Sequence, residues 1–174
     1  MELTDLIKKT IRDIPDFPKP GILFKDITPL LQNREVFAKI IDALAERYIG
    51  KKIDVIAGIE SRGFLFGTPL AYRLGTSFVP IRKSGKLPYK TVKASYSLEY
   101  GTATVEMHTD AIQKGDRVVV IDDLLATGGT ANAACNLVEG QGGKIIECSF
   151  VVELKFLHGK EKLRNRELFS LVQY

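Results

Sequence analysis

Apolar and polar positions alternate along this chain in blocks that predict strands and helices in turn. Short, mostly apolar runs predict strands that are buried on both faces, because a strand with one solvent-exposed face has polar residues at every second position. Between these runs, apolar residues recur at helical spacing from Val36 to Tyr48, and 64–74 has a helical pattern despite Pro69. The alternation predicts an α/β fold with a central, mostly parallel, twisted sheet flanked by helices on both faces. The predicted strands are 54–59, 77–82, 102–108, 118–122, 144–152 and 168–172.

Three further segments complete the outline. Residues 3–13 have an amphipathic helical pattern. Three prolines within 14–21 exclude regular structure there, because proline lacks an N–H donor and fixes φ. Asn33 is placed to cap the helix that follows. The segment 83–101 is long, basic and polar without periodicity, which predicts an irregular loop. Since we find no repeat and no linker, we predict one domain over 1–174.

The composition is that of a globular protein of ordinary size. Of the 174 residues, 45% are hydrophobic and 26% are charged, and the net charge of +4 is mild. No basic block suggests a nucleic-acid tail, no apolar stretch approaches the roughly 20 residues of a membrane span, and we expect no signal peptide. Cys135 and Cys148 are too few for a disulfide framework and fit small core positions. We therefore predict a cytoplasmic protein with no nucleic-acid and no membrane partner.

The strongest chemical signal is the segment Val118–Thr130, in which an apolar strand runs into Asp122 and Asp123 and then into a glycine- and threonine-rich turn. Ligands of open α/β sheets bind at the carboxyl ends of strands, and the N–H groups of a helix N-terminus favour an anion. Carboxylates accept hydrogen bonds from sugar hydroxyls or hold a metal, while turn amides and threonine hydroxyls bind phosphate. The segment therefore predicts a site for a sugar phosphate.

An alternative is that Asp122 and Asp123 only cap the following helix, although one acid would suffice for a cap. The segment has neither the G-x-x-x-x-G-K-[ST] nor the G-x-G-x-x-G spacing. Its order of apolar strand, two acids and T-G-G-T resembles the phosphoribosyl-pyrophosphate (PRPP) motif of the type I phosphoribosyltransferases. The resemblance implies that the acids hold the ribose hydroxyls and that Ala126–Thr130 binds the 5′-phosphate.

A second strand-to-helix turn, Gly58–Phe64, contains Ser61 and Arg62 and should lie at the same sheet edge as Asp122. Helix N-terminal amides with one arginine suit a pyrophosphate group, whereas the alternative is a tight turn with a solvated arginine. The string E-S-R-G-F resembles the pyrophosphate loop of the adenine phosphoribosyltransferases. In that family a cis, non-proline peptide turns amides towards the pyrophosphate and the metal.

The third motif is the proline-rich segment 17–29, whose apolar and aromatic side chains could cover a flat heterocycle by stacking. The alternative is a loop that packs its own apolar residues on the core. The segment resembles the hood of the same family, in which backbone groups at positions matching Leu23 and Lys25 read the adenine edge and Phe24 stacks on the ring. Lysine at 25 replaces the arginine of some members, and a backbone contact should tolerate that change.

The fourth motif runs from Arg82 to Gly101 and is either a solvated basic loop or a lid over a binding site. It resembles the flexible catalytic loop of the family. There Glu99 would be the catalytic acid/base near adenine, with Tyr100 beside it. The arginine matching Arg82 can reach the neighbouring subunit's site, which implies a homodimer. The basic positions near the pyrophosphate are Arg82, Lys83 and Lys86.

Together the four motifs resemble adenine phosphoribosyltransferases over roughly 11–152. The resemblance implies a type I phosphoribosyltransferase fold with a hood at about 14–30 and a flexible loop at about 83–101. It also implies purine salvage, in which adenine and PRPP give AMP and pyrophosphate with Mg²⁺ as cofactor, held by Asp122 and Asp123 directly or through water and PRPP. The implied PRPP and AMP ligands are Asp122, Asp123, Ala126, Thr127, Gly128, Gly129, Thr130, Arg62, Ser61, Arg82, Lys83, Lys86 and Tyr100.

Two alternatives remain open. Transferases for xanthine, hypoxanthine, uracil or orotate share the fold and part of the PRPP motif, although the hood and E-S-R-G-F favour adenine. Some transcription regulators use the fold as a purine or PRPP sensor. Residues 1–16 hold at most one short helix, which leaves no room for a helix-turn-helix, so an enzyme is the favoured class.

Overall fold

The computed structural model of this chain describes residues 2–98 and 101–174. The helices are α1 (Leu3–Thr10), α2 (Thr28–Gln32), α3 (Arg34–Tyr48), α4 (Gly63–Leu74) and α5 (Gly129–Gly140). The strands are β1 (Arg12–Ile14), β2 (Phe24–Asp26), β3 (Val55–Ile59), β4 (Ser77–Lys83), β5 (Thr91–Ser97), β6 (Thr102–His108), β7 (Arg117–Leu125), β8 (Lys144–Glu153) and β9 (Leu168–Gln173). Two short 3-10 helices, Lys155–Leu157 and Gly159–Leu163, lie between β8 and β9.

Seven strands form one sheet in the order β5-β6-β4-β3-β7-β8-β9. The five strands from β4 to β9 in this order run parallel, and β6 and β5 extend the sheet as antiparallel strands. The predicted α/β class with a mostly parallel sheet is confirmed. Since the carboxyl ends of parallel strands share one edge, the segments that follow β3, β4 and β7 meet there.

The apolar run of β7 is explained by burial on both faces of the sheet. Val119 and Ile121 belong to a core cluster formed with α1–α4, whereas Val118 and Val120 belong to the cluster under α5. A strand between two such layers must be apolar at every position. Cys135 and Cys148 are buried, unbridged members of the second cluster, which confirms them as core residues.

The N-terminal prediction was wrong in part, because residues 12–14 form a strand and not the end of a helix. β1 pairs antiparallel with β2. Opposite charges face each other across this pair: Arg12 and Asp26 approach to 2.6 Å, as do Asp13 and Lys25. Such cross-strand pairs favour this register over a third helical turn. The proline-rich segment 17–29 contains β2 and the first two residues of α2.

The prediction of an irregular loop over 83–101 was also wrong in part. β5 pairs with β6 along its whole length, from Thr91↔His108 to Ser97↔Thr102. Val92, Ala94 and Tyr96 pack against the α5 cluster while the residues between them face outwards. This alternation was visible in the sequence, but its apolar residues are few.

Most other boundaries agree with the sequence to within one or two residues, and the Asn33 side chain caps α3 by accepting from the N–H groups of Glu35 and Val36. β7 continues to Leu125, so Asp122 and Asp123 lie within the paired strand. Across 2–98 and 101–174, helices long and apolar enough to span a membrane are absent.

Candidate active site

Asp122 and Asp123 lie near the carboxyl end of β7, and their environment disfavours two negative charges. The Asp123 side chain is buried, and the backbone N–H of Asp123 donates to Asp122 Oδ1 over 2.8 Å. Burial and the neighbouring Asp123 carboxylate raise the pKa of Asp122 well above its usual range. Burial also raises the pKa of Asp123, although Arg62 opposes the shift. Without a ligand, the pair therefore holds a proton more tightly than free carboxyls do.

The glycine-rich turn after β7 forms a small cradle at the start of α5. The cavity has a volume of about 80 Å³, which suits one phosphate group better than a whole nucleotide. Gly128 precedes the helix with φ of +79°, a conformation that favours glycine. The first N–H groups of the helix have no intrahelical acceptors and carry the positive end of its dipole. The cradle is lined by Asp122, Leu124, Leu125, Ala126, Thr127, Gly128, Gly129, Thr130 and Ala131.

Gly159, in the 3-10 segment after β8, supports this cradle from behind, and sequence reasoning missed it. A Cβ atom on Gly159 would overlap the Ala126 carbonyl oxygen and lie 3.0 Å from the Gly128 nitrogen. Gly159 does not have a positive φ, so its backbone conformation does not require glycine. Glycine is required here because the two backbones approach too closely to leave room for a side chain. No local sequence signal distinguishes such a contact from an ordinary loop glycine.

Arg62 connects three of the predicted motifs. Its Nε lies 3.0 Å from Asp123 Oδ2, and its guanidinium carbon lies 5.9 Å from the centre of the Phe24 ring in the hood. Gly63 allows this approach, because a Cβ there would lie 2.7 Å from the Ile121 carbonyl oxygen. The structure thus brings the β3–α4 loop, the paired acids and Phe24 of segment 17–29 together; the sequence predicted that the loop and Asp122 share one sheet edge.

The basic segment after β4 is tied to the same loop through Glu60. Arg82 donates to both carboxylate oxygens of Glu60 over 3.2 Å, and the Lys83 N–H donates to Glu60 Oε2 over 2.9 Å. Burial alone would raise the pKa of Glu60, but Arg82 and the Lys83 N–H lower it below its usual value. Ser61, Lys83 and Lys86 are exposed, and the Glu60–Ser61 peptide is cis, as the resemblance implied.

The hood residues Leu23, Phe24 and Lys25 differ in their exposure to solvent and in their contacts. Leu23 is exposed, and the Phe24 ring stands edge-on to Phe17 with centroids 5.1 Å apart. The Lys25 side chain is buried, pairs with Asp13 and lies 4.0 Å from the centre of the Tyr174 ring. The Lys25 side chain thus stabilises the hood, and only the backbone groups of Lys25 are left to contact a ligand.

The β5–β6 hairpin reaches the cradle. A Cβ on Gly129 would lie 3.1 Å from the Tyr96 ring and 3.8 Å from the Ser97 carbonyl oxygen. Glu99 and Tyr100, which follow β5 in the sequence, lie outside the described residues. Tyr96 is a second contact that sequence reasoning missed.

The paired acids fit a metal that substrate helps to hold. In the described part of the chain, no cluster of three or more metal-ligating side chains occurs. Asp123 Oδ2 is buried and, despite the nearby Arg62, has no hydrogen bond of good geometry within the described structure. Mg²⁺ is commonly held by one or two carboxylates together with substrate phosphates, so Asp122 and Asp123 are a suitable protein half of such a site.

Comparison with known proteins agrees with this geometry. Residues 26–170 match the family model of the phosphoribosyl transferase domain. The adenine phosphoribosyltransferase of Chloroflexus aurantiacus is 60% identical over 164 residues, which cover 94% of this chain and 95% of that protein. The crystal structure of the Thermoanaerobacter pseudethanolicus enzyme is 53% identical, with a TM-score of 0.95 over 99% of this chain and 100% of that one.

A third relative carries ligands. The crystal structure of adenine phosphoribosyltransferase from Saccharomyces cerevisiae is complexed with D-2,5-dideoxy-2,5-imino-altritol 1,6-bisphosphate and adenine. It is 46% identical, with a TM-score of 0.92 over 97% of this chain and 98% of that one. Because sequence and structure agree over nearly the whole length, the type I phosphoribosyltransferase fold is confirmed, and this chain belongs to the adenine phosphoribosyltransferase family.

Proposed function

We propose that this chain transfers the 5-phosphoribosyl group from PRPP to adenine at the carboxyl edge of its sheet, giving AMP and pyrophosphate. The observation that carries the proposal is the position of Arg62, which contacts both the buried Asp123 and the hood residue Phe24. Arg62 would then lie between the acids that bind the sugar and the aromatic ring that covers the base. Adenine bound to the yeast relative supports the choice of base.

The ribose 5-phosphate part of PRPP would bind across β7. Asp122 and Asp123 accept hydrogen bonds from the ribose hydroxyls, and the amides and hydroxyls of Ala126–Thr130 take the 5′-phosphate. Mg²⁺, held by the two acids directly or through water and PRPP, would offset the charge that develops on pyrophosphate. Because both acids have raised pKa values, hydroxyl donors or a cation would favour their ionised forms.

The leaving pyrophosphate would bind at the β3–α4 loop and the basic segment. Ser61 with its neighbouring amides and Arg62 provide donors at the start of α4. Lys83 and Lys86 are exposed cations on the segment that Glu60 ties to this loop. Arg82 is half-buried and paired with Glu60 in this structure; it would be a third cation near the pyrophosphate, with the further role of reaching a partner subunit in a homodimer. Positioning and electrostatics, rather than covalent chemistry, carry most of this reaction.

Adenine would lie under the hood. Backbone groups of Leu23 and Lys25 read its edge and the Phe24 ring stacks on it, which agrees with the engagement of the Lys25 side chain elsewhere. Glu99, with Tyr100 beside it, would act at ring N7 and take up the one proton that adenine loses as N9 bonds to the ribose carbon and pyrophosphate leaves, and loop closure excludes water. We also propose that the enzyme acts in the cytoplasm.

The direct test is an assay of nucleoside monophosphate formation from PRPP, Mg²⁺ and each of five bases: adenine, hypoxanthine, xanthine, uracil and orotate. We expect product from adenine and loss of activity when a chelator removes the metal. Preferred turnover of another base would reassign the hood. Specific DNA binding without AMP formation would instead favour the sensor class.

For Glu99→Ala we expect kcat to fall by about 10²-fold with little change in KM for adenine, because general acid–base catalysis at the ring typically contributes this much to a barrier lowered mainly by positioning. Steady-state kinetics with adenine varied at saturating PRPP measure both constants. A change in KM alone would make Glu99 a binding residue. The Glu99→Gln variant is the matched control, since it keeps the size of the side chain but can no longer take up the ring proton.

A further inference from the structure

Glu106 is a buried carboxylate in the middle of β6, and nothing in the proposed reaction uses it. Its side chain is 2% exposed. The register pairs Glu106 with Arg82 of β4 on one side and with Lys93 of β5 on the other. The residue therefore lies where the antiparallel hairpin joins the parallel sheet.

The carboxylate binds the turn of the basic segment through its backbone. Glu106 Oε1 accepts from the N–H groups of Gly85, Lys86 and Leu87 over 2.9, 3.1 and 3.2 Å. Consecutive N–H groups that converge on one point form an anion-binding concavity. In this chain the concavity is filled by an internal anion, so its amides are not free to bind a substrate phosphate.

The other side of the carboxylate fixes the hairpin. Glu106 Oε2 accepts from the Thr91 hydroxyl over 3.3 Å and lies 3.6 Å from Lys93 Nζ. Burial alone would raise the pKa of Glu106, but the three N–H groups and Lys93 hold it below its usual value. The group is therefore a permanent anion in the working pH range.

The same turn orients Arg82. The Lys86 carbonyl accepts from Arg82 Nη1 over 3.0 Å, and the remaining Arg82 donors bind Glu60 at the start of the pyrophosphate loop. A chain of direct contacts thus runs from Glu106 through the turn to Arg82 and Glu60.

We infer that Glu106 is a positioning residue that holds the 84–87 turn from inside and thereby sets the basic segment for the pyrophosphate end of PRPP. The inference rests on the proposed pyrophosphate role of Arg82, Lys83 and Lys86. Glu106 contacts no substrate in this scheme. Its backbone contacts leave the lysine side chains on the outer surface of the turn, where an anion can reach them.

The test compares pyrophosphate with AMP, since AMP lacks the group that the basic segment would bind. We expect Glu106→Ala to raise the inhibition constant of pyrophosphate and the KM for PRPP by about tenfold, while the inhibition constant of AMP stays within about twofold. Glu106→Gln keeps an oxygen acceptor for the turn, so its effect should be smaller, about threefold. If Glu106→Ala folds poorly, the inhibition constants of pyrophosphate and AMP measured for Glu106→Gln test the inference instead.

Glu147→Gln is the matched control, because Glu147 is equally buried but binds Arg47 and Tyr48 of α3. It should leave the ratio of the two inhibition constants unchanged. Equal losses for pyrophosphate and AMP in both Glu106 variants would show a purely structural role and overturn the inference. A double variant, Lys83→Ala with Lys86→Ala, distinguishes the role of the basic segment from the role of Glu106. If pyrophosphate inhibits this variant normally, the proposed pyrophosphate role of the basic segment is wrong. If inhibition of this variant is impaired while the Glu106 variants behave normally, only the positioning role of Glu106 is wrong.

Discussion

Asp123→Asn should lower kcat/KM for PRPP by about 10³-fold while the protein stays folded, because a group that stabilises developing charge typically contributes this much. Asparagine keeps the shape of the side chain but removes the charge that pairs with Arg62 over 3.0 Å. It also replaces a carboxylate oxygen by an amide nitrogen, which cannot accept from ribose hydroxyls or bind a cation. Steady-state kinetics with PRPP varied, together with circular dichroism, measure the two effects.

The same substitution should leave the ligand-free protein equally stable or more stable. The folded-state pKa values of both acids are raised, so the native state binds more protons than the unfolded state above the ordinary Asp pKa of about 3.9. Stability is then lost as the pH rises through the folded pKa. We expect Tm of the wild type to fall relative to that of Asp123→Asn as the pH rises above about 4.

Glu153→Gln is a suitable control, because Glu153 is a buried carboxylate at the end of the neighbouring β8 and binds only Ser170 and Gln173 among the described side chains. It should retain wild-type kinetics. Unchanged kcat/KM in Asp123→Asn would remove Asp123 from the sugar and metal site. A collapse of the fold in that variant would make its role structural.

Gly159→Ala should raise KM for PRPP and reduce kcat/KM by about 10²-fold, since a shift of about 1 Å in a positioning group can cost this much. The added methyl group would overlap the Ala126 carbonyl oxygen, so either the 3-10 segment or the phosphate cradle must move. AMP should bind more weakly by a similar factor, because it shares the 5′-phosphate. Pyrophosphate, whose proposed site lies outside the cradle, should inhibit as in the wild type.

Gly140→Ala is the matched control for this substitution. Gly140 ends α5 and does not have positive φ, and a methyl group there would meet no atom of another described element within 4 Å. Alanine there should be neutral or slightly stabilising, since it is the better helix former. Wild-type AMP binding in Gly159→Ala would show that the cradle absorbs the contact without moving.

The parts of the site that the sequence revealed are those in which neighbouring residues in the chain act together. The acids and the T-G-G-T turn are consecutive, and the apolar run of β7 follows from burial on both faces. The hood hairpin was missed although Arg12–Asp26 and Asp13–Lys25 pair across it, because matching charges over a dozen residues is ambiguous without the register. For the hairpin the decisive information was which residues pair across the two strands, and a linear sequence pattern does not contain it.

Gly159 and Glu106 show the stronger form of this limit. Gly159 approaches a turn some thirty residues earlier, and Glu106 binds backbone groups about twenty residues earlier. Neither residue belongs to a motif, and neither contact depends on a side chain at the other end. Backbone atoms are identical at every position, so contacts made to them leave no compositional trace.

The sheet order has a consequence for how substrate acts on the molecule. From β3 the chain adds β4 on one side of the sheet, and it later returns to add β7, β8 and β9 on the other side of β3. The site lies at this topological switch point, where the chain returns after about sixty residues to pair Val55 with Val118. PRPP would place its pyrophosphate on the loop after β3 and its phosphate on the turn after β7. Bound substrate therefore cross-links the two halves of the chain at the seam between them, and its binding energy adds to the stability of that long-range pairing.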